Sequence, residues 1–353
     1  MNRPGTLPHL PGVLTADELL ATADGIAALQ QRDGMIPWFP GGHCDPWNHV
    51  ETAMALTVAG RFHEAERAYG WLAATQRGDG SWHNYYRADG SIEDAKLDTN
   101  VCAYVATGVW QHWLATGDTG VIARLFPVVE RALDWVLTLQ TPRGEIIWAR
   151  HVDGTPWSYA LLTGSSSICH ALRCGVGLAQ VAADVLGGDG RPDWELAAVT
   201  LADVIRTQPN AFEPKHRWAM DWYYPVLAGA LTGRAAHLRL ASRWDEFVMD
   251  GLGVRCVNNE PWVTAAETAE CAMAYAVAGL DAQAADLLTW TRAHRDADGA
   301  YRTGIVYPDG VTFPDGERSA YTAAAIVLAA DLLDGTTRTS GVFRGDGLPV
   351  VEP

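Results

Sequence analysis

The residues with chemical potential gather in a few short stretches. Carboxylates stand beside tryptophan, histidine and asparagine in Trp38 to His49, with Asp45 inside it. The same company recurs around Asp94 and Asp98, around Asp221, in Asn258-Asn259-Glu260-Pro261-Trp262, and near Asp315 and Glu317. Paired carboxyls can divide acid and base duties, one protonated and one ionised. Flat aromatic rings beside carboxylates and amides also suit a polyhydroxylated ligand, because rings stack on sugar faces while polar groups bond the hydroxyls. The chain carries fifteen tryptophans, many of them in these stretches. Together these features point to glycoside hydrolysis, in which two carboxyls flank the scissile bond.

Each carboxylate also has an ordinary alternative. Asp45 precedes Pro46, and Asp followed by Pro is a good helix N-cap with proline in the first turn. Glu260 is less easily dismissed, since Glu is a poor N-cap and the flanking Asn258, Asn259 and Trp262 look like ligand-contacting residues rather than turn filler. Asp98 and Asp221 are read as binding substrate hydroxyls. The full sugar-binding set drawn from these stretches is Trp38, His43, Trp47, Asn48, His49, Trp82, Tyr85, Asp94, Asp98, Asn100, Trp157, Asp221, Trp222, Tyr223, Asn259, Trp262 and Tyr301. His43 and His49 flank Asp45, with His83 and His151 in neighbouring loops, but no spacing supplies three or four metal ligands. Neither a metal nor another cofactor is expected, and no phosphate-binding glycine loop or nucleophile elbow occurs.

The elements that must position these residues are helices. Apolar residues recur at helical spacing, which predicts helices at 15–31, 47–60, 62–76, 95–116, 119–140, 163–186, 192–208, 218–232, 234–249, 261–279, 281–294 and 317–335. They form six pairs. The first member of each pair has a charged face, whereas the second is apolar nearly all round, as a buried helix is. An outer ring wrapped around an inner ring follows, an all-α (α/α)6 toroid of six helical hairpins. It is read as one domain over 1–353, with short irregular segments at 1–14 and 336–353. In such a ring the loops entering the inner helices open on one face, and those loops hold the residues above.

Composition bounds the partners. A net charge of −16 without a basic cluster disfavours nucleic acid and anionic membranes, so a neutral oligosaccharide or polysaccharide is the expected partner. Oligomeric state stays open. Six cysteines without C-x-x-C pairing read as buried free thiols, and with no signal-like apolar run near the start the expected location is cytoplasmic.

A repeated motif marks the helix ends. Gln76 to Trp82 has the form Q-x-x-x-G-x-W, with weaker copies at Gln30/Gly34/Ile36, Gln140/Gly144/Ile146 and Arg295/Gly299/Tyr301. Each glycine is expected just past a helix end as a left-handed cap. The motif resembles that of the triterpene cyclases, and the helical pattern resembles the toroids of prenyltransferases, terpenoid cyclases and many glycoside hydrolases. The D-x-D-D and D-D-x-x-D strings of the cyclases and synthases are absent. An isoprenoid enzyme and a non-catalytic carbohydrate-binding protein remain as alternatives.

A narrower resemblance rests on Asp45-Pro46-Trp47-Asn48-His49-Val50-Glu51 and Asn259-Glu260-Pro261-Trp262. These are similar to the actinobacterial methylmannose polysaccharide hydrolases, intracellular endo-acting α-mannosidases. The resemblance implies hydrolysis of α-1,4-mannosidic bonds in methylated mannose polysaccharide. It also implies Asp45 and Glu260 as the catalytic pair, with inversion at the anomeric carbon. Asn259, Asp98, Asp221 and Trp47 would then hold sugars; which carboxyl is acid and which is base stays open, with Glu260 beside Trp262 the preferred acid and Asp45 the preferred base.

Overall fold

The computed structural model describes residues 6–349, so the outermost parts of both expected irregular termini lie outside the described residues. Some helices begin where the sequence supplies a start signal. α1 (Ala16–Leu29) opens on a capping box, with the Thr15 hydroxyl accepting from the Glu18 amide and the Glu18 carboxylate accepting from the Thr15 amide. α2 (Pro46–Val58) is capped by Asp45 with proline in its first turn. α3 (Phe62–Thr75), the short α4 (Thr99–Ala103), α5 (Val105–Thr116) and α6 (Thr119–Leu137) follow. α7 (Leu162–Leu186), α8 (Pro192–Thr207), α9 (Ala219–Leu227), α10 (Gly233–Ala241) and α11 (Trp244–Phe247) continue the chain, and α12 (Ala265–Val277), α13 (Asp281–Trp290) and α14 (Ala320–Asp334) complete it.

Burial sorts these helices as their composition demands. On α2 every residue except Trp47 and Asn48 is buried, and on α12 every residue except Glu267 and Val277, whereas α3 buries only Ala65, Ala68, Tyr69, Trp71 and Leu72. The buried helices pack in a closed circuit: α2 on α5, α5 on α7, α7 on α9, α9 on α12, α12 on α14, and α14 back on α2. The amphipathic helices lie against this circuit, α3 on α2, α6 on α5 and α7, α8 on α7, α10 on α9, α13 on α12 and α14, and α1 on α14 and α2. One hydrophobic core runs through the described residues from Leu14 to Leu348.

The all-helical expectation is too simple. β1 (Tyr85–Tyr86) and β2 (Ile92–Asp94) form a hairpin, and β3 (Leu97–Asp98) pairs antiparallel with β4 (Ala149–Arg150). β5 (Val248–Met249), β6 (Gly253–Arg255), β7 (Trp262–Thr264), β8 (Gly304–Val306) and β9 (Val311–Phe313) make a five-stranded antiparallel meander. Strands of two or three residues are too short to show a period of two. All nine lie in the segments that lead into the buried helices, so they stiffen those loops. The expected starts at 95 and 261 are accordingly late, at Thr99 and Ala265. The helix expected over 218–232 stops at Leu227, just before Gly229 takes a φ of 72°.

The repeated motif stitches neighbouring outer helices together. The Gln76 amide donates to the Gly80 carbonyl (2.9 Å) and to the Val128 carbonyl of α6 (2.9 Å). Gln30 bridges Gly34 to Glu64 of α3, and Gln140 bridges Gly144 to Ala197 of α8, in the same way. Arg295 reaches the Glu18 carbonyl of α1 (3.4 Å), returning the series to its beginning. The glycines are not helix caps as expected. Each closes a tight turn beyond the cap, Gly80 with a φ of 97° and its amide donating to Arg77. A Cβ on Gly80 would lie 2.2 Å from the Arg131 carbonyl oxygen. Gly80→Ala therefore combines left-handed strain with a backbone clash and is expected to destabilise the fold by roughly 2–4 kcal/mol, read as a clear fall in melting temperature by calorimetry.

Candidate active site

The segments entering the first four buried helices enclose a cavity of about 610 Å³. Asp45, Trp47 and Asn48 come from the start of α2, and Asn84, Tyr85, Asp94, Lys96, Asp98 and Asn100 from the approach to α4. Trp148, Tyr159 and Thr163 come from the approach to α7, and Lys215, Trp218 and Asp221 from the approach to α9.

Asp45 is only 3% exposed and is held from three directions. Its Oδ2 accepts from the Trp38 indole N–H (2.7 Å) and the Asn48 side-chain amide (2.7 Å), and its Oδ1 from the Asn48 backbone amide (3.0 Å). Burial pushes its carboxyl up, and these donors work against that shift. All three partners donate, which suits an ionised acceptor. Asp98 caps α4 through the amides of Asn100 (3.0 Å) and Val101 (3.3 Å), with the Lys96 ammonium 3.6 Å away. Asp221 is 4% exposed and its Oδ1 has no hydrogen-bond partner. Burial raises both carboxyls. The asparagine at 100 likewise leaves its Oδ1 unpartnered, so the wall offers several unmet polar groups.

Two cations temper this acidic wall. The chain contains two lysines, Lys96 and Lys215, and both line the cavity. Lys96 sits over the Trp148 ring at 4.0 Å and Lys215 over Tyr159 at 5.5 Å. Sequence reasoning missed both, along with Trp148 and Thr163, and placed Asn84, Tyr159 and Trp218 in the loops of the mouth without including them in the sugar-binding set. Their signal was the concentration of both lysines in aromatic-rich loops of a chain whose other side-chain cations are arginines.

Glu260 stands outside the cavity lining, in the turn between β6 and β7, and is half-buried. Among the described residues its carboxylate makes no hydrogen bond or ion pair. The turn is tied to the cavity wall: Asn258 N donates to the Arg217 carbonyl (3.0 Å) and Arg217 Nε donates to Asn259 Oδ1 (2.7 Å), next to Trp218. Trp262 packs on Phe313 rather than in the cavity. Trp38 and His43 back the site, Trp38 through Asp45 and His43 against Trp38 and Tyr85. Trp157 lines an adjoining hollow.

Five further expected sugar ligands do not line this cavity. His49 is 1% exposed, between the Ile36 amide and the Ala68 carbonyl, with burial lowering its imidazolium to about 4. Trp82 and Trp222 are core residues whose indoles donate to the carbonyls of Leu72 and Arg239. Tyr223 is buried against Glu270, and Tyr301 lines a separate hollow beside α1. Which side of a helix start faces the core cannot be read from residue type, so polar and aromatic residues there resemble ligands whether or not they reach the cavity.

Two further carboxyls, Glu51 and Glu270, are buried outside the cavity lining. Glu51 accepts from the Trp47 indole (3.1 Å) and Tyr104 hydroxyl (3.2 Å), and Glu270 from the hydroxyls of Tyr223 and Tyr224 (3.1 Å to Tyr224). Burial raises both carboxyls, Glu51 to about 7, with repulsion from Glu51 further raising Glu270 and the charge of Asp45 further raising Glu51. Among the described residues no group of His, Cys, Asp or Glu is arranged to hold a metal, no helix is long and apolar enough to cross a membrane, and all six cysteines are buried free thiols.

A carboxyl whose folded value is raised above its ordinary value, 4.5 for Glu51, stabilises the fold below that value, and the contribution is lost as pH rises through the folded value of about 7. Glu51→Gln should therefore gain stability relative to wild type between pH 5 and pH 8, by an amount on the order of 1–3 kcal/mol. Parallel thermal melts of both proteins at the two pH values measure this.

No family model matches the chain. It is 49% identical over 343 residues to an MMP endo-(1,4)-3-O-methyl-alpha-D-mannosidase of Mycolicibacterium hassiacum, covering 97% of this chain and 93% of that protein. Its fold is similar to a wild-type glycosidase (TM-score 0.70, 16% identity, 91% of this chain and 98% of that one). It is also similar to the GH63 mannosylglycerate hydrolase of Thermus thermophilus in complex with glucose (TM-score 0.66, 13% identity, 88% and 99%).

Proposed function

Because the chain belongs to the family of the MMP endo-(1,4)-3-O-methyl-alpha-D-mannosidases and is a glycoside hydrolase, we propose that it cleaves internal α-1,4-mannosidic bonds of methylated mannose polysaccharide with inversion, using Asp45 and Glu260. The observation that carries this reading is Asp45 itself, a buried carboxylate facing the cavity and fixed by three donors. The closed circuit of buried helices supports an (α/α)6 toroid of six hairpins in a single domain, whose mouth presents Asp45 on a rigid helix start.

Asp45 is the general base. Its donors orient it and favour its ionised form, so it takes a proton from the water that attacks the anomeric carbon. Glu260 is the general acid, protonating the departing oxygen from a rim turn where no other side chain occupies its carboxyl. An inverting pair stands roughly 6.5–9.5 Å apart to admit the water. Lys96, Asp98, Asn100 and Asp221 bond hydroxyls, while Trp47, Trp148 and Trp218 offer apolar faces. The cavity adjoins a further hollow on each side, sharing Asp94, Lys96 and Trp148 with one and Tyr159 and Asp221 with the other. A groove of that extent supports attack within a chain.

Asp221 is the second candidate for the acid, because its unpartnered Oδ1 belongs to a residue of the cavity wall. Three variants separate the roles. Asp45→Asn and Glu260→Gln, folded by circular dichroism, should each lose at least about a hundredfold in kcat, within the usual range for an acid or base. Asp221→Asn should mainly raise KM. Proton NMR of the first products should show the β-anomer. Full activity in Glu260→Gln with loss in Asp221→Asn would transfer the acid role, and an initial α-anomer would exclude inversion.

A further inference from the structure

The aromatic residues on the approach to α7 continue beyond the cavity. Tyr159 and Trp148 stack at 5.5 Å with planes 23° apart, Trp148 meets Trp157 at 4.8 Å, and Trp157 stacks on His151 at 5.2 Å and 19°. The first two rings line the cavity. The last two line a hollow of about 440 Å³ with Asp94, Ala95, Lys96, Trp148 and Val152.

This annex is built rather than loose. Trp157 N donates to the Ala149 carbonyl (2.9 Å), His151 N to the Thr155 carbonyl (2.9 Å), and Gly154 closes the turn with a φ of 92°. The pairing of Ala149 with Asp98 fastens the hairpin to the cavity wall. At its tip Val152 is 55% exposed, so burial in the core does not account for an apolar residue there. An exposed valine beside two stacked rings, joined to a sugar-binding cavity through shared residues, calls for a partly apolar sugar.

We propose that the annex is a distal subsite that seats an O-methylated mannosyl residue of the chain bound in the cavity, its ether methyl resting on Trp157 and Val152. The inference rests on the function proposed above. Methylation replaces a hydroxyl donor with an apolar group, and burying that group against rings and valine removes apolar surface from water. A plain mannosyl unit places a hydroxyl against the Val152 side chain and the Trp157 ring face instead, where neither accepts or donates a hydrogen bond, while Asp94, Lys96 and His151 of the lining serve the hydroxyls that both sugars share. The annex thus selects methylated over unmethylated chains at a distance from the cleaved bond.

The test compares kcat/KM for a 3-O-methylated α-1,4-mannooligosaccharide and its unmethylated counterpart of equal length, in wild type, Trp157→Ala and Val152→Ser. Wild type should prefer the methylated oligomer, and that preference should fall in both variants by roughly fourfold for each methyl group seated. An unchanged preference, or equal losses on both substrates, overturns the proposal. Should Trp157→Ala fail to fold, the exposed Val152→Ser decides alone. Wild type that cleaves both oligomers equally well also overturns it while sparing the glycosidase assignment, and wild type that cleaves neither refutes the proposed substrate itself.

Discussion

The site depends on a single carboxylate doing two jobs. Asp45 terminates α2 by accepting the Asn48 amide, and the same group faces the cavity. A helix N-terminus favours negative charge, while burial disfavours it, and the indole of Trp38 and the amide of Asn48 offset part of that penalty. Capping and catalysis are therefore compatible readings of one geometry. The cap fixes the carboxyl to one of the most buried elements of the fold, and the helix start aims it.

That rigidity is inherited from the ring. The buried helices touch one another in a circuit, so a shift in any one of them is resisted on two sides. The outer helices are tied by the glutamine bridges, each satisfying two carbonyls at once. The small sheets carry this stiffness into the mouth loops, where irregular backbone would otherwise leave its polar groups to water. β3 pairing with β4 locks Asp98 to the hairpin bearing Trp148 and Trp157, linking a cavity carboxylate and the stacked rings mechanically.

Helix existence and order are legible in the sequence because the pattern is long: α7, with 25 residues, matches its expected span within one residue. The strands are not, since pairing in two-residue pieces depends on partners distant in sequence, as Leu97 with Arg150. The carboxylates of the cavity are marked by their aromatic company. His49 and Trp82 keep the same company and turn inward: side chains around a helix start such as that of His49 rotate by about 100° per residue, and composition records the direction of neither a helical nor a loop side chain. Lys96 and Lys215 look in sequence like ordinary surface charge.

Their placement has a physical reading. Many arginines elsewhere in the chain bond carbonyls and carboxylates, as Arg191 bonds Glu130, Asp134 and Asp193, through a planar fork suited to fixed partners. A lysine ammonium is a compact charge with three rotatable donors. In a cavity crowded with Asp45, Asp94, Asp98 and Asp221, it offsets negative charge and can still redirect a hydrogen bond to whichever hydroxyl or ether oxygen a sugar presents. A chain of −16 net charge that places both of its lysines over aromatic rings in one cavity has concentrated adaptable donors where a neutral, hydroxyl-rich ligand would meet them.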